Sequence, residues 1–308
     1  MQSKASVAVV ILAHNESLHL PRALEHVAKF ANEVFVVDSG SADNTVEIAR
    51  RCGAQVLEHP FQNYARQFEW ALANAPITSD WVMRLDADEV IEDDLADEII
   101  ARLPQFAADV TGVNLNRKTI FQGKFLKHGG RYPLWLLRIW RRGKAHIEDR
   151  WMDEHMVLDE GRAVNFRGGF ADHNLHDLTF FIAKHNGYAS REALDVLNRR
   201  MHLFGDPEPS LAAGSTARQA STKRFIKEAI YNRIPFEMSA TAYFLYRYIF
   251  QLGFLDGRAG LVYHVLQGFW YRFLVGAKVR ELKTIVRRAP NDAVMRSELA
   301  RATRQRID

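Results

Sequence analysis

Two aspartates, one residue apart, follow a short and mostly apolar stretch of the chain. The stretch is Trp81–Leu85, and Asp86-Ala87-Asp88-Glu89 comes directly after it. In an extended chain, side chains two positions apart point to the same side, roughly 6–7 Å from each other. Two carboxylates placed in this way can hold a divalent cation through oxygen, and the cation can hold a diphosphate. A solvated acidic turn is the alternative, because residues 92–94 are also acidic.

The position of these aspartates favours the metal interpretation. Apolar runs alternate with helical patterns and predict four strands: Val7–Ala13, Val34–Val37, Gln55–Leu57 and Trp81–Leu85. Such alternation predicts a mostly parallel sheet with helices on both faces. Ligands bind such sheets beyond the carboxyl ends of the strands. Asn15, Asp38, Asp86 and Asp88 all follow a predicted strand end.

The pattern of the chain changes after a predicted helix at Asp93–Leu103. Two further strands are predicted, at Gly112–Lys118 and Leu134–Arg141. The stretch Trp151–Leu158, with its polar Asp153-Glu154-His155, comes next and precedes a long helix at Leu178–Arg200. Residues 203–222 are rich in Pro, Gly, Ser and Ala, which is typical of a loop or hinge. We therefore predict an α/β catalytic domain of residues 1–222 and a helical C-terminal segment of residues 223–308.

Composition restricts the class of protein. Of 308 residues, 47% are hydrophobic and 25% charged, which is ordinary for a globular chain. The single cysteine, Cys52, excludes an intramolecular disulfide and favours a reducing compartment. Residues 218–308 carry 17 basic and 7 acidic residues, against 24 and 30 in the remainder. A basic tail joined to an acidic domain points to an anionic surface as partner.

The C-terminal segment mixes aromatic and aliphatic residues with Arg247, Arg258 and Arg272. This mixture is typical of a helix that lies among the headgroups of an anionic membrane, and we predict a cytoplasmic protein on the inner face of the cell membrane. No apolar run reaches the roughly 18 residues of a spanning helix. The alternative is a helical hairpin packed on the catalytic domain or on a second copy of the chain. We expect no nucleic acid as partner, and a homo-oligomer is compatible with the sequence.

Four motifs occur in an order that resembles a known family. They are Val-Ile-Leu-Ala-His-Asn-Glu (10–16), Val-Val-Asp-Ser-Gly-Ser-Ala-Asp-Asn-Thr (36–45), Ala-Arg-Gln (65–67) and Leu-Asp-Ala-Asp-Glu (85–89). Together they resemble the family 2 glycosyltransferases, which have the Rossmann-like glycosyltransferase-A fold. Residues 136–139, 153–154 and 253–258 are also similar to the subgroup that builds lipopolysaccharide core and exopolysaccharide. His14 departs from the family pattern, in which an aromatic or hydroxyl residue is more usual.

The resemblance implies a nucleotide-sugar donor at the strand ends. By resemblance, Asp38 should bind the nucleoside, and Asn15, Glu16 and Arg66 should lie beside the nucleotide. Asp86 should lie near both the ribose and the metal.

The resemblance also implies a metal ion and a general base. Asp88 should ligate Mg²⁺ or Mn²⁺, and His173 is a further candidate ligand, with a structural role as its alternative. Glu154 is the candidate base, with Asp153 in reserve. A single base implies transfer with inversion, from a UDP-linked sugar donor to a lipid-linked bacterial glycan. Arg138 could bind a phosphate or pair with a core acid.

Three rival functions are weaker. A Rossmann dehydrogenase is disfavoured because no Gly-x-Gly-x-x-Gly follows Val7–Ala13. A phosphohydrolase with an Asp-x-Asp nucleophile would carry that motif after its first strand, whereas here it follows the fourth. In such a phosphohydrolase, Asp38 would also have no role in the reaction. The third rival is a catalytically silent scaffold at the membrane surface.

Overall fold

The computed structural model of the chain describes residues 5–148, 155–201, 203 and 235–305. The described residues form two compact units, one of residues 5–148 and 155–175 and one that begins at residue 176. The predicted boundary between residues 222 and 223 lies outside the described residues and stays a prediction. The elements of the first unit are β1 (Val7–Ala13), α1 (Leu20–Val27), β2 (Glu33–Asp38), α2 (Thr45–Arg51), β3 (Gln55–Glu58), α3 (Tyr64–Asn74), β4 (Trp81–Asp86), β5 (Glu89–Ile91), α4 (Asp93–Arg102), a 3₁₀ turn (Leu103–Gln105), β6 (Val110–Phe121), β7 (Lys124–Leu126), β8 (Trp135–Arg141), β9 (Ala145–Ile147), β10 (Met156–Leu158) and β11 (Arg162–Asp172).

A nine-stranded sheet organises the first unit. Its strands follow the order β3-β2-β1-β4-β8-β6-β11-β5, and β7 pairs with β6 at the side. The first four strands are parallel, and the register sets Ala13 beside Asp38 and Leu12 beside Asp86. The central strand β1 is almost wholly buried, as its continuous apolar run requires. The carboxyl ends of β1, β2 and β4 therefore meet at one edge of the sheet.

The other half of the sheet reverses direction. Strand β8 is antiparallel to both β4 and β6, β11 is parallel to β6, and β5 is antiparallel to β11. The sheet is thus mixed, and the predicted α/β class with flanking helices is confirmed.

Three strands of this half, β5, β7 and β11, were not predicted from the sequence. Strand β5 lies in the acidic stretch that indicated a turn, and β11 contains Gly168-Gly169, which ordinarily argues against a strand. A Cβ atom at Gly168 would lie 2.5 Å from the Cα atom of Leu95, so this glycine lets α4 cross β11 closely.

Each face of the sheet carries its own core. One core joins alternate residues of β1 to α1, α2 and α4, with Leu20, Ile48 and Leu95 among its members. The other core joins the opposite residues of β1 to α3, where the ring of Phe68 meets Trp140 edge to face at 6.1 Å. Burial of both faces holds the strands in one register and fixes the site at their carboxyl ends.

The second unit is helical. Its elements are α5 (Leu178–Met201), α6 (Phe236–Leu245), a π-helical turn (Tyr246–Phe250), a 3₁₀ turn (Gly253–Asp256), α7 (Gly257–Tyr263), a second π-helical turn (His264–Trp270), α8 (Tyr271–Arg288) and α9 (Asp292–Thr303). Helices α5, α8 and α9 share an apolar core that includes Leu197, Leu282 and Leu299. Within the described residues, no helix combines the length and the apolar character that a membrane crossing requires.

Residues 236–270 form a helical hairpin that bends at Leu252, whose φ is 59°. Glycines allow its two arms to approach. A Cβ atom at Gly253 would lie 2.6 Å from Nε2 of His264. The interior is aromatic, because the ring of Tyr248 contacts both Phe254 and His264 at centroid distances of 6.3 and 6.1 Å. The structure thus contains a hairpin, and its packing on the catalytic domain or on a second copy stays an alternative to membrane contact.

Tyr243 of α6 lies between two cations. The Arg272 guanidinium stands 3.8 Å from its ring centroid, and Arg247 donates to its hydroxyl at 2.7 Å. Burial alone would raise the pKa of the Tyr243 phenol, but the two guanidinium groups outweigh burial and lower that pKa to about 8.

We predict that the lowered pKa of Tyr243 makes the protein more stable at alkaline pH. The folded pKa of Tyr243 is lower than the unfolded value of about 10, so the free energy of unfolding should increase between about pH 8 and pH 10. Ultraviolet titration should show one tyrosine ionising near pH 8. Tyr243→Phe should remove both that step and the stability increase, whereas the exposed Tyr246→Phe should keep them. A titration in which no tyrosine ionises below pH 9 would contradict this assignment.

Candidate functional site

The loops after β1 and β2 are tied together through Asn15. Its backbone N–H donates to Oγ of Ser41 at 2.8 Å, and its side-chain Oδ1 accepts from the backbone N–H of Ala42 at 2.8 Å. Asn15 has a φ of 56°, a left-handed conformation that asparagine tolerates better than most residues. Its side chain therefore shapes the edge where a nucleotide is predicted to bind.

Asp38 is buried and already serves its own loop. Its Oδ2 accepts from the backbone N–H groups of Gly40 and Ser41, each at 2.9 Å, and the Ser41 hydroxyl donates to Oδ1 at 2.5 Å. Because an ionised carboxylate offers about four acceptor positions, these three bonds use most of them. The structure gives Asp38 a clear role in holding the loop, and its predicted contact with a nucleoside stays a prediction.

The carboxylate of Glu16 contacts the ring of a histidine. The backbone N–H of Leu175 donates to Nε2 of His19 at 2.9 Å, so the neutral His19 ring carries its hydrogen on Nδ1. That Nδ1 lies 2.6 Å from Oε2 of Glu16. Glu16 and His19 therefore link the loop after β1 to the chain that follows β11.

Asp86 ends β4 inside a cluster of cations. Tyr64 donates its hydroxyl to Oδ1, while Arg138 and Arg84 lie 3.5 and 3.7 Å from the carboxylate oxygens. Burial opposes ionisation, but Arg138 and Arg84 outweigh it and hold the pKa of Asp86 well below its usual range. Asp86 is therefore ionised and largely neutralised by its neighbours.

Arg138 joins Asp86 to a second buried carboxylate. Its guanidinium lies 2.6 Å from Oε1 of Glu89, and both side chains are at most 5% exposed. Burial raises the pKa of Glu89 to about 8, against the opposing charge of Arg138. Of the two alternatives for Arg138, the structure shows the pairing with core acids.

Asp88 lies on a turn and not on the strand. Strand β4 ends at Asp86 and β5 begins at Glu89, so the prediction of two aspartates on one extended chain is wrong. The chain reverses direction between β4 and β5, because β5 pairs with β11 in the antiparallel direction. Asn174 donates its side-chain amide to Oδ2 of Asp88 at 3.0 Å, and the His173 N–H donates to the Asp88 carbonyl at 3.0 Å.

His173 is held by Arg22 of α1. One guanidinium nitrogen lies 3.0 Å from Nδ1 of His173, and another lies 2.6 Å from its carbonyl oxygen. A guanidinium can only donate, so Nδ1 accepts and Nε2 of the neutral ring carries the hydrogen. Burial, and then the charge of Arg22, lower the pKa of His173. In this arrangement Nε2 is a donor, and metal ligation by His173 requires a change at Arg22.

Arg66 is the remaining predicted site residue within the described part of the chain. Arg66 is exposed in the first turn of α3, where its N–H donates to the side chain of Asn63 at 2.8 Å. Asp153 and Glu154, the candidate bases, lie outside the described residues.

The carboxylates fit a divalent cation only in part. No three or more His, Cys, Asp or Glu side chains within the described ranges converge in a metal-binding group. Two guanidinium groups neutralise Asp86, which makes it a poor ligand. Half-buried Asp88 accepts from the Asn174 amide and also interacts electrostatically with Arg22. Mg²⁺ commonly takes one or two carboxylates together with phosphate oxygens. The residues therefore fit a cation held by Asp88 and the phosphates of a ligand.

Comparison with protein families decides the identity of this domain. The model of glycosyl transferase family 2 matches residues 8–172, more than half of the chain. The chain belongs to glycosyl transferase family 2. This finding confirms the family that the four motifs predicted. The match covers the strands whose ends carry Asn15, Asp38 and Asp88.

Curated relatives match part of this family 2 chain. An uncharacterized glycosyltransferase of Rickettsia prowazekii is 40% identical over 93 residues, which is 30% of this chain and 31% of that protein. The glycosyltransferase SunS of Bacillus subtilis is 32% identical over 101 residues, 31% of this chain and 24% of that protein. The match thus spans about a third or less of these relatives.

Solved structures resemble the chain weakly. Staphylococcus aureus TarS aligns with a TM-score of 0.40 and 14% identity, over 61% of this chain and 39% of TarS. Glucosyl-3-phosphoglycerate synthase of Mycobacterium tuberculosis, crystallised with Mn²⁺, UDP and phosphoglyceric acid, aligns with a TM-score of 0.29 and 20% identity. That alignment covers 39% of this chain and 44% of the synthase.

Several residues of the candidate site were not predicted from the sequence. Tyr64 recurs at helical spacing with the apolar Phe68 and Ala71 of α3, and Arg84 lies within a mostly apolar strand. Arg84 donates to the Tyr64 hydroxyl at 3.0 Å and stands 4.3 Å from its ring centroid. Arg22 of α1 carries no local signal of its contact with His173.

We predict that Arg138 is essential to stability. Arg138→Met should lower the free energy of unfolding by about 3–5 kcal/mol, because it leaves two carboxylates without their buried cation. Denaturant unfolding measures the loss. The matched control is Arg50→Met, which removes an exposed 3.5 Å pair with Glu58 and should cost about 1 kcal/mol or less. Equal losses in the two variants would contradict the central place of Arg138.

We also predict that Arg22 controls the ionisation of His173. Arg22→Gln should raise the pKa of His173, because it removes a neighbouring positive charge. Histidine ring signals followed by NMR across pH measure the change, and the signal missing from His173→Gln supplies the assignment. Arg167→Gln, which removes an exposed cation of β11, should leave the His173 titration in place. An unchanged or lower pKa in Arg22→Gln would refute the contact.

Proposed function

We propose that this chain transfers a sugar from a UDP-linked nucleotide-sugar to a hydroxyl of a glycan acceptor, with inversion. The observation that carries the proposal is the grouping of Asn15, Asp38 and Asp88 at the carboxyl edge of the parallel strands of a family 2 domain. In a sheet of this kind, that edge is where ligands bind.

The residues of this edge divide the work of donor binding. Asn15 and Asp38 hold the two loops that would enclose the nucleoside, with Glu16 and Arg66 on the same side. Asp88 would hold Mg²⁺ or Mn²⁺ together with the diphosphate. When bound, the cation supplies charge neutralisation of the departing diphosphate. Asp86, fixed by Tyr64 and Arg138, would help to order the end of β4 that leads to Asp88.

The acceptor hydroxyl must lose its proton as it attacks the anomeric carbon. A positioned carboxylate can accept that proton and contribute on the order of 10²–10⁴ to the rate. By resemblance, Glu154 takes this role, and Asp153 is the reserve. A single displacement by the hydroxyl inverts the anomeric centre, so an α-linked donor gives a β-linked product.

The acceptor that we propose is a lipid-linked glycan of the bacterial surface, in lipopolysaccharide core or exopolysaccharide synthesis. The support is the resemblance at residues 136–139 and 253–258 and the basic, aromatic C-terminal segment. A protein with such an acceptor would work at the inner face of the cell membrane, as a peripheral protein.

Donor binding and metal dependence can be tested together. In a thermal-shift screen, one nucleotide-sugar should raise the melting temperature with Mn²⁺ and much less without it. Asp88→Asn should lose the Mn²⁺-dependent part of the shift and at least about 100-fold in transfer rate, in line with the loss of a charge-stabilising group. Asp97→Asn, which alters an exposed carboxylate of α4, should behave as the wild type. Normal turnover by Asp88→Asn would sink the metal assignment.

The base and the rival functions need separate variants. Glu154→Gln should keep the donor-induced thermal shift but lose transfer, and a loss confined to Asp153→Asn would reverse the two roles. Product NMR reports the anomeric configuration. Release of phosphate from simple phosphoesters without sugar transfer would favour the phosphohydrolase, and donor binding without any turnover would favour the scaffold.

A further inference from the structure

The outer surface of the hairpin (residues 236–270) is densely apolar. Of the 21 large hydrophobic side chains exposed among the described residues, ten lie between positions 238 and 265. The ten are Met238, Leu245, Tyr246, Ile249, Phe250, Leu252, Phe254, Leu255, Leu261 and Val265. Contiguous apolar exposure on this scale marks an interaction surface, whereas single exposed side chains are ordinary.

The exposure is greatest at the bend, residues 245–255, which we term the tip. Phe250 is 78% exposed and Leu255 is 53% exposed. The hairpin does not need these side chains for its own packing, because Tyr248, His264 and the close approach at Gly253 already fill its interior. The apolar side chains of the tip are therefore available to a partner.

The charge around the tip is positive. Arg247 is the only charged residue between positions 238 and 255, and the first carboxylate beyond, Asp256, is 2% exposed. The next charged residue along the chain, Arg258 on α7, is also basic. An apolar tip with basic neighbours complements an anionic bilayer. A second copy of the chain would bring like charges together, which disfavours self-association through this surface.

The dimensions of the hairpin limit how deeply it enters. The arm from Phe236 to Phe250 has 15 residues, and at about 1.5 Å per residue it is roughly 22 Å long. The hydrocarbon core of a bilayer is about 30 Å thick. This arm can enter one leaflet but cannot cross both.

We propose that the tip of the hairpin inserts its apolar side chains into one leaflet of an anionic bilayer, with Arg247 and Arg258 at the level of the headgroups. This proposal deepens the proposed function, because it names the surface that would bring the protein to a lipid-linked acceptor. It can nevertheless fail separately, because vesicle binding requires neither donor nor acceptor.

Flotation of the full-length protein with vesicles tests the surface directly. The protein should float with vesicles of phosphatidylglycerol and phosphatidylethanolamine, and less with phosphatidylcholine alone. Phe250→Ser combined with Leu255→Ser should weaken partition by about 100-fold, at roughly tenfold for each large side chain removed from lipid. Its thermal unfolding should match the wild type, because both side chains are exposed.

A matched control removes exposed apolar side chains elsewhere. Phe61→Ser combined with Ile100→Ser alters residues that are 52% and 38% exposed in the first unit, and it should float as the wild type does. Equal flotation of the tip variant and the wild type would overturn the proposal. A concentration-dependent dimer, seen by sedimentation without lipid and lost in the tip variant, would also overturn it in favour of self-association.

A label at the tip reports its depth. Cys52 is the only cysteine, so Cys52→Ser combined with Phe250→Cys carries a single attachment site for an environment-sensitive fluorophore. On anionic vesicles, its emission should shift to the blue and be quenched by lipids brominated on the acyl chains. The same label at Asp292→Cys, at the start of α9, should show neither effect. If the label at position 250 showed neither the blue shift nor the quenching while the protein was bound to the vesicles, insertion would be refuted.

Discussion

The guanidinium of Arg138 is the constraint on which the candidate site depends. It is buried between Glu89 and Asp86, at 2.6 and 3.5 Å from their oxygens. A buried cation of this kind contributes little net stability when it is well paired, but its geometry restricts what surrounds it. It fixes the end of β4 and the start of β5 together. The turn that carries Asp88 lies between these two points, so its position follows from that of Arg138.

A second set of contacts fixes the same turn from the other side. Asn174 and His173 bond to Asp88, Arg22 bonds to His173, and His19 bonds to Leu175. Helix α1 and the end of β11 are thus joined at the residue best suited to hold a cation. Residues separated by about 150 positions in the chain therefore share one small volume.

The sequence predicted the parallel half of the sheet well and the rest poorly. Strands β1 and β4 are continuous apolar runs covered on both faces, and such runs are easily recognised. Strand β11 is not easily recognised, because exposed residues and Gly168-Gly169 interrupt its apolar pattern. Gly168 allows α4 to pack closely against β11. Asp38 and Asp88 could be chosen from their positions after strands. Arg22 and Tyr64 could not, because their importance comes only from partners that are distant in sequence.

The order of the strands also bears on how much of the chain can stand alone. The four parallel strands come first in the chain, and the last of them, β4, ends at Asp86. Yet β4 pairs on one side with β1 and on the other with β8, a strand that begins only at Trp135. A fragment ending after α4 would leave the backbone groups of β4 open along that side, and such an edge recruits other chains. During synthesis, the parallel strands must therefore wait for β8 before this side of β4 is paired.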